Sequence, residues 1–546
     1  MKNKVVVIGL DGMDWRLLMP AIAAGELPTL ARLVREGASG PLRSTIRPES
    51  SVAWSSFATG VNPGKHGVYG FVHHDTGTYD FRLANSTNIG VPKFWDILGD
   101  AGRKVGLINI PFTYPPSPVN GFLVSGMLTP GKHVDFTHPE TLKKQLLTRF
   151  DGEYMFDASE GKYDKKRLLA DVASYTQQQL ETASWLMQEE AWDTFVVVFT
   201  GPDRLQHFFW ADKMEQHSHH NSDGIYGSTL NDHFKCLDDA IAQILSHVPR
   251  ESVVMLMSDH GFNGVGRRFY VNRWLVRAGY LSLNSMTTSF IGGFAAQGLS
   301  RMKEVPLLRQ IKRSLLPTAW GPATFKTAVF TQPIDWKNTQ VYYAPDGGLR
   351  INCMGREPEG IVPPGDPYES LCEELREKLL ALTDIETGFH PVARVYKKEE
   401  LYNGRYTNQA PDLILEPDRS AENDLANYLL EGSLDLDGSV FTTSDPYSGN
   451  HAQDGILIVW GSNIQSQKDM PTCQIIDIAP TLLALQGVSI PDYMDGQFLD
   501  ILFQPNHIPT ATYTTTVVPT QQAQSNNPID NDSVVEDRLR NLGYLD

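Results

Sequence analysis

Short, continuous apolar runs rich in β-branched residues recur along this chain, with helical stretches between them. The clearest are VVVIGL at 5–10, KVGLINI at 104–110, TFVVVFT at 194–200, VVMLMS at 253–258 and GILIVW at 455–460. A strand with one face in water alternates apolar and polar residues. A strand covered on both faces does not, so these runs predict a largely parallel central sheet with helices on both faces, an α/β fold. Helices are expected over 29–36, opened by Pro28 in a first-turn position, and over 167–190. Segment 475–486 (IIDIAPTLLALQ) reads as a strand end followed by a helix.

At 546 residues the chain is long enough for two or three domains, although a large α/β protein can wind everything around one sheet. Two stretches break the alternation. Residues 281–325 are locally basic (Arg301, Lys303, Arg309, Lys312, Arg313) and partly amphipathic. They read equally as an inserted helical cap over the site or as a solvated insertion, with a membrane-surface role a weaker third reading. Residues 506–533, rich in Thr, Pro, Gln, Asn and Ser, read as a flexible tail, and 534–545 as a short terminal helix. The expected organisation is one catalytic domain from 1–280 and 326–505, a cap at 281–325, and a tail at 506–546.

The net charge of −17 argues against a nucleic-acid polymer as partner, because such proteins carry a basic face. A small phosphate substrate stays open, since bound cations reverse the local field. The four cysteines, Cys236, Cys353, Cys372 and Cys473, form no CxxC pair, which argues against a disulfide framework or a thiolate zinc site. The amino terminus runs directly into the first apolar strand, too short for a signal core, and no apolar run is long enough for a transmembrane segment. The expected location is cytoplasmic.

Five motifs carry chemistry, most of them at strand ends, where open α/β sheets place ligands. Asp11, in GLDGMDW, follows the first strand directly. In PESSVAWSSFATGVNPGKHG, at 48–67, Ser50 and Ser51 stand before an expected helix running to Thr59, where amides and the positive dipole end favour a phosphate. Asp203 and His207 lie four apart after the 194–200 strand, on one face if helical. Asp259 and His260, in SDHGF, end the 253–258 strand, with Gly261 allowing a turn. His451 stands in a loop before the 455–460 strand. Singly, each has an ordinary reading as turn former, helix cap, surface ion pair or loop histidine. Together they supply three Asp, three His and a serine hydroxyl, enough for two sites of three ligands each. The mixed oxygen and nitrogen donors suit Zn²⁺ or Mn²⁺ better than Mg²⁺. The densest histidine cluster, at 216–220, lies in a polar stretch and reads as a solvated loop.

These residues resemble those of the alkaline phosphatase superfamily, and within it the type I phosphodiesterase/nucleotide pyrophosphatase family. The matching pieces are VVVIGLDGMD, ATGVNPGKHG, Asp203 to His207, SDHGF, GNHAQDGILIVWG, DIAPTLLALQGVSIPDYMDGQFL and the closing RLRNLGYLD. The resemblance implies an alkaline-phosphatase-like fold and hydrolysis of a small phosphate ester or anhydride. It implies two divalent ions, zinc ahead of manganese, with Asp203, His207 and His451 holding one and Asp11, Asp259 and His260 the other. Ser50, nine positions before Thr59, stands where the family's nucleophile does and would bridge the ions. Where that group has Thr before Phe-Pro-Asn, this chain has Ser50 before Ser51-Val52-Ala53. The CxPSR-type motif of sulfatases is absent. The same ligands would also serve a phosphoglycerate-mutase-like phosphotransferase of the superfamily or a transferase of a phospho-linked head group; a non-enzymatic binding protein fits the filled positions least.

Overall fold

The computed structural model describes residues 4–158, 164–217, 219–220, 224–284, 334–418, 427–433, 438–444, 446–516 and 532–542. A nine-stranded sheet runs in the order Cys473–Gln474, Ala38–Arg43, Asp454–Trp460, Val253–Met257, Val5–Leu10, Thr194–Phe199, Val105–Ile108, Gly121–Val124, Thr137–His138. Val5–Leu10 lies at its centre, parallel to both neighbours, with Val5 opposite Thr194 and Val253. Every residue of this strand is buried. Val6, Ile8 and Leu10 pack on the face covered by Lys165–Glu189, Gly201–Lys213 and Thr229–Ser246. Val5 and Val7 pack on the face covered by Ser50–Thr59, Phe94–Asp100 and Ile478–Leu485. Burial on both faces is why the apolar run is unbroken.

The expected helices form, as Pro28–Glu36 and Lys165–Glu189. One strand runs against expectation. Asp454–Trp460 is antiparallel to both Val253–Met257 and Ala38–Arg43. An unbroken apolar run reports burial, not direction. Here the chain enters from Gly449–Ala452, which pairs with Gly261–Gly264 beyond the carboxyl end of the parallel strands, so it returns downward without a crossover helix.

A second, four-stranded antiparallel sheet (Val341–Tyr343, Gly348–Ile351, Leu413–Pro417, Val392–Lys397) backs onto the helix Asp366–Ala381. Its core takes in Val535 and Leu539 of the terminal helix Asp532–Leu542. The expected cap at 281–325 falls almost wholly outside the described residues, as does 517–531 of the expected tail; ahead of that stretch Tyr513–Thr514 pairs in parallel with Ile490–Pro491. Among the described residues no single helix is long and apolar enough to cross a membrane.

Candidate active site

Asp11 leaves the central strand at its carboxyl end. Gly12 follows in the left-handed region (φ 70°), and its N–H donates to Asp259 Oδ1 at 3.2 Å. That turn ties together two strand ends, and a side chain at position 12 would meet Phe262 and Asp203 at 3.1–3.2 Å. Trp54 Nε1 donates to Asp11 Oδ2 at 3.0 Å, leaving Oδ1 to face Ser50 and His260.

Asp259 and His260 follow Val253–Met257 as expected, but Gly261 works differently from the turn its presence implied. It begins the Gly261–Gly264 strand, and a Cβ there would come within 2.2 Å of Asp454 O and 2.8 Å of Asp14 Oδ2. The glycine is needed for close approach. His451 stands in the partner strand Gly449–Ala452, opposite Phe262, rather than in a loop. His260, just ahead of one short strand, and His451, within the other, thus meet at one point, their rings stacked at 3.9 Å.

Asp203 and His207 sit one turn apart on Gly201–Lys213, and both are buried. Asp203, His207 and His451 form one triad and Asp11, Asp259 and His260 another; within each, one potential ligand atom per residue lies within 4.8 Å of the others. In the first, Asp203 Oδ1 is 3.1 Å from His451 Nε2 and 3.5 Å from His207 Nε2. In the second, His260 Nε2 is 3.3 Å from Asp259 Oδ2 and 3.7 Å from Asp11 Oδ1. The triads abut, with His260 Nε2 3.9 Å from Asp203 Oδ1.

Ser50 opens the helix Ser50–Thr59 rather than preceding it; Glu49 is the N-cap residue. Its Oγ lies 3.3 Å from His260 Nε2 and 3.4 Å from Asp11 Oδ1. Ser51 Oγ turns the other way and donates to Glu49 Oε1 at 3.3 Å. The structure therefore brings all seven expected residues to one buried place beside a helix N-terminus.

The histidines are set up to offer lone pairs. The Nδ1 atoms of His207 and His260 each lie 3.0 Å from a backbone carbonyl, of Gly449 and Gly261. A carbonyl only accepts, so each of these Nδ1 atoms carries a proton, and Nε2 is the ring nitrogen turned toward the site. Burial holds His451 well below the usual histidine range, and burial also lowers His260. Burial, then Asp259 and Asp203, holds Asp11 well above the usual carboxylate range. Burial and Asp203 push Asp259 up to about 7. Asp203 goes the other way: burial opposes its charge, but His207, His451 and Arg204 outweigh it.

Several contributors were not singled out in the sequence: Trp54 on Asp11, Arg204 on Asp203, Asp157 on Arg204, and Gln206, whose Nε2 donates to Gly12 O at 2.8 Å. Arg204 and Gln206 lie inside the Asp203–His207 motif, and Trp54 one turn after Ser50, where spacing alone could have found them. Nothing local marks Asp157. In the histidine stretch expected as a solvated loop, Gln216 and His219 are exposed, but His217 is buried, with Nε2 against the carbonyls of Ser448 (3.1 Å) and Val265 (3.3 Å). A cavity of about 700 Å³ opens beside His451, lined by Arg16, Arg47, Tyr343 and Arg394 among others.

Among solved structures, the chain is similar to human ectonucleotide pyrophosphatase/phosphodiesterase 5, at 14% identity over 89% of this chain and 95% of that one, with a TM-score of 0.47. It is similar to phosphonoacetate hydrolase from Sinorhizobium meliloti 1021, in complex with phosphonoformate, at 14% identity over 88% of this chain and 94% of that one, with a TM-score of 0.54. The fold is alkaline-phosphatase-like. No curated protein sequence matches the chain. The family match spans residues 5–423 and so ends before His451. On that match, the chain belongs to the type I phosphodiesterase / nucleotide pyrophosphatase family.

Proposed function

We propose that this protein is a phosphoesterase that uses Ser50 as nucleophile beside two divalent cations. The observation that carries the reading is the convergence of two Asp/His triads on one serine at a helix start. The residues fit such ions. Three carboxylates are buried against one another, and Asp259 Oδ2 is buried without a hydrogen-bond donor. Imidazole Nε2 atoms of His207, His260 and His451 face them. Asp203, His207 and His451 would hold one ion; Asp11, Asp259 and His260 the other. Oxygen and nitrogen donors without thiolate suit zinc first and manganese second. Such ions supply Lewis acidity that favours an ionised nucleophile and offsets charge on the phosphoryl group.

The chain's own part is positional. Ser50 Oγ forms a bond to phosphorus as the bond to the departing alcohol or phosphate breaks. The helix start beside it presents backbone N–H groups and the positive dipole end to the phosphoryl oxygens. Water then cleaves the phosphoserine and restores Ser50. The rest of the substrate occupies the cavity next to His451, where the Arg47–Glu49 and Arg394–Glu416 pairs stand.

The test is a screen of aryl and nucleotide phosphate mono- and diesters on chelator-treated protein, with Zn²⁺ or Mn²⁺ added back. Metal-restored turnover supports the reading. Full turnover by the chelated protein, or none of any ester with either metal, sinks it.

A further inference from the structure

Arg204 follows Asp203 directly on Gly201–Lys213, so its Cβ is rotated about 100° from the face that carries Asp203 and His207. Its guanidinium nonetheless turns back and donates to Asp203 Oδ2. The other edge of the group forks onto Asp157, Nε to Oδ1 at 2.8 Å and Nη2 to Oδ2 at 2.7 Å. Met127 Sδ lies 3.3 Å from Nη2. Arg204 is 1% exposed, and the Asp157 side chain is wholly enclosed.

A buried arginine held between two carboxylates is costly to desolvate and is weak evidence of added stability. What this one does is geometric. A planar guanidinium can serve two carboxylates at once in fixed directions, which an ammonium cannot. With Oδ2 of Asp203 taken, Oδ1 is the atom turned toward His451 Nε2 and His207 Nε2. We infer that Asp157 and Arg204 are positioning residues for one of the two metal sites. Asp157 fixes the guanidinium, and the guanidinium fixes Asp203 so that a single oxygen serves the Asp203–His207–His451 site.

The inference rests on the two-metal reading, and it divides the two sites. Asp11, Asp259 and His260 take their orientation from Trp54, Gly12 and Gly261 instead. Loss of Asp157 should therefore weaken one site and spare the other.

The test uses the full chain, stripped of metal and titrated with Zn²⁺ against a chromophoric chelator. Wild type gives two dissociation constants, and His451→Ala identifies which belongs to the Asp203 site. Asp157→Asn keeps the shape of the side chain and removes its charge. It raises that constant roughly ten- to a hundredfold, the range for loss of an outer partner of a ligand, and leaves the other within about twofold. Arg204→Lys keeps the positive charge but not the fork, gives the same one-site loss, and decides the matter if Asp157→Asn fails to fold. Asp384→Asn is the control: it removes the buried carboxylate from Arg267, in another part of the chain, and moves the melting temperature but neither constant. Two unchanged constants, or two that rise together, in Asp157→Asn or Arg204→Lys overturn the inference while the two-metal reading stands. A wild-type protein that binds fewer than two ions overturns both.

Discussion

Ser50 and Ser51 are adjacent, equally buried and chemically identical, so their replacement by alanine is a clean test of the proposed nucleophile. Ser50 Oγ has two polar neighbours, His260 Nε2 at 3.3 Å and Asp11 Oδ1 at 3.4 Å, both at the long end for a hydroxyl. Removing it should cost about 1 kcal/mol of stability or less. The reaction, by contrast, loses the atom that bonds to phosphorus. Ser50→Ala should lower kcat by about 10⁴ or more, a barrier increase of about 5.5 kcal/mol, as expected when a nucleophile acts as a unit with its activating groups. Ser51 has one hydroxyl contact, to Glu49 Oε1, and Glu49 keeps the Phe71 N–H at 3.0 Å and its pair with Arg47. If the whole of that hydrogen bond, about 1 kcal/mol, reached the transition state, Ser51→Ala would still fall by less than about tenfold. The assay is steady-state turnover of a p-nitrophenyl phosphate ester, with bound metal measured in each variant. Bound metal should largely survive in Ser50→Ala, because both triads remain. A dead Ser51→Ala beside an active Ser50→Ala would place the nucleophile one residue later. Near-normal rates in both, and in the double variant, would mean that no serine intermediate forms.

Asp259→Ala and His451→Ala should each lower metal content by about one ion per chain, measured by elemental analysis; full occupancy in either would remove that residue from the ligand set. Trp54→Phe keeps the ring but removes the donor to Asp11 Oδ2, and should weaken the Asp11–Asp259–His260 site by about tenfold, read by metal titration; an unchanged constant would show that Asp11 is oriented without it. The stability profile should slope with pH. His66 is enclosed and neutral, with Nδ1 accepting from the Val68 N–H and Nε2 bonded to Ser56 Oγ, and burial pushes it down to about 3; burial pushes His233 to about 4. The unfolded chain takes up these protons near pH 6.5 and the folded chain does not. Stability should therefore fall as pH drops from about 6.5 toward 4, by up to about 1.4 kcal/mol per unit for each histidine. Because raised carboxylates such as Asp259 slope the other way, the check is by difference: a His66→Gln variant whose denaturant midpoint falls between pH 7 and pH 5 as steeply as that of the wild type would refute this.

Much of the candidate site was legible because its expected ligands stand directly against strands whose composition marks them. Asp11 follows VVVIGL, and Asp259 follows VVMLMS, so the sheet alone placed them at one end. The four-residue spacing of Asp203 and His207 sufficed once the segment was helical. His451 was harder, because GNHA is too short and polar to declare itself a strand, and its pairing with Gly261–Gly264 is a contact across nearly 190 positions of sequence. For the same reason Asp454–Trp460 was expected to be parallel: direction is set by where the chain comes from, not by what the strand is made of. Asp157 gave no sign at all, since its role depends on a guanidinium 47 residues away.

The order in which the ligands leave the ribosome has a consequence of its own. One triad draws on positions 11, 259 and 260, the other on 203, 207 and 451. A chain halted anywhere between 260 and 451 has all the ligands of the first triad and lacks one of the second. Its sheet also lacks Asp454–Trp460, the strand that joins Ala38–Arg43 to Val253–Met257. Contacts this distant in sequence form late and slowly. An ion that binds only the finished arrangement adds its affinity to folding, about 2.7 kcal/mol per site at a hundredfold excess over its dissociation constant. On the two-metal proposal, metal present during folding should thus raise the yield of folded protein, before any substrate is turned over.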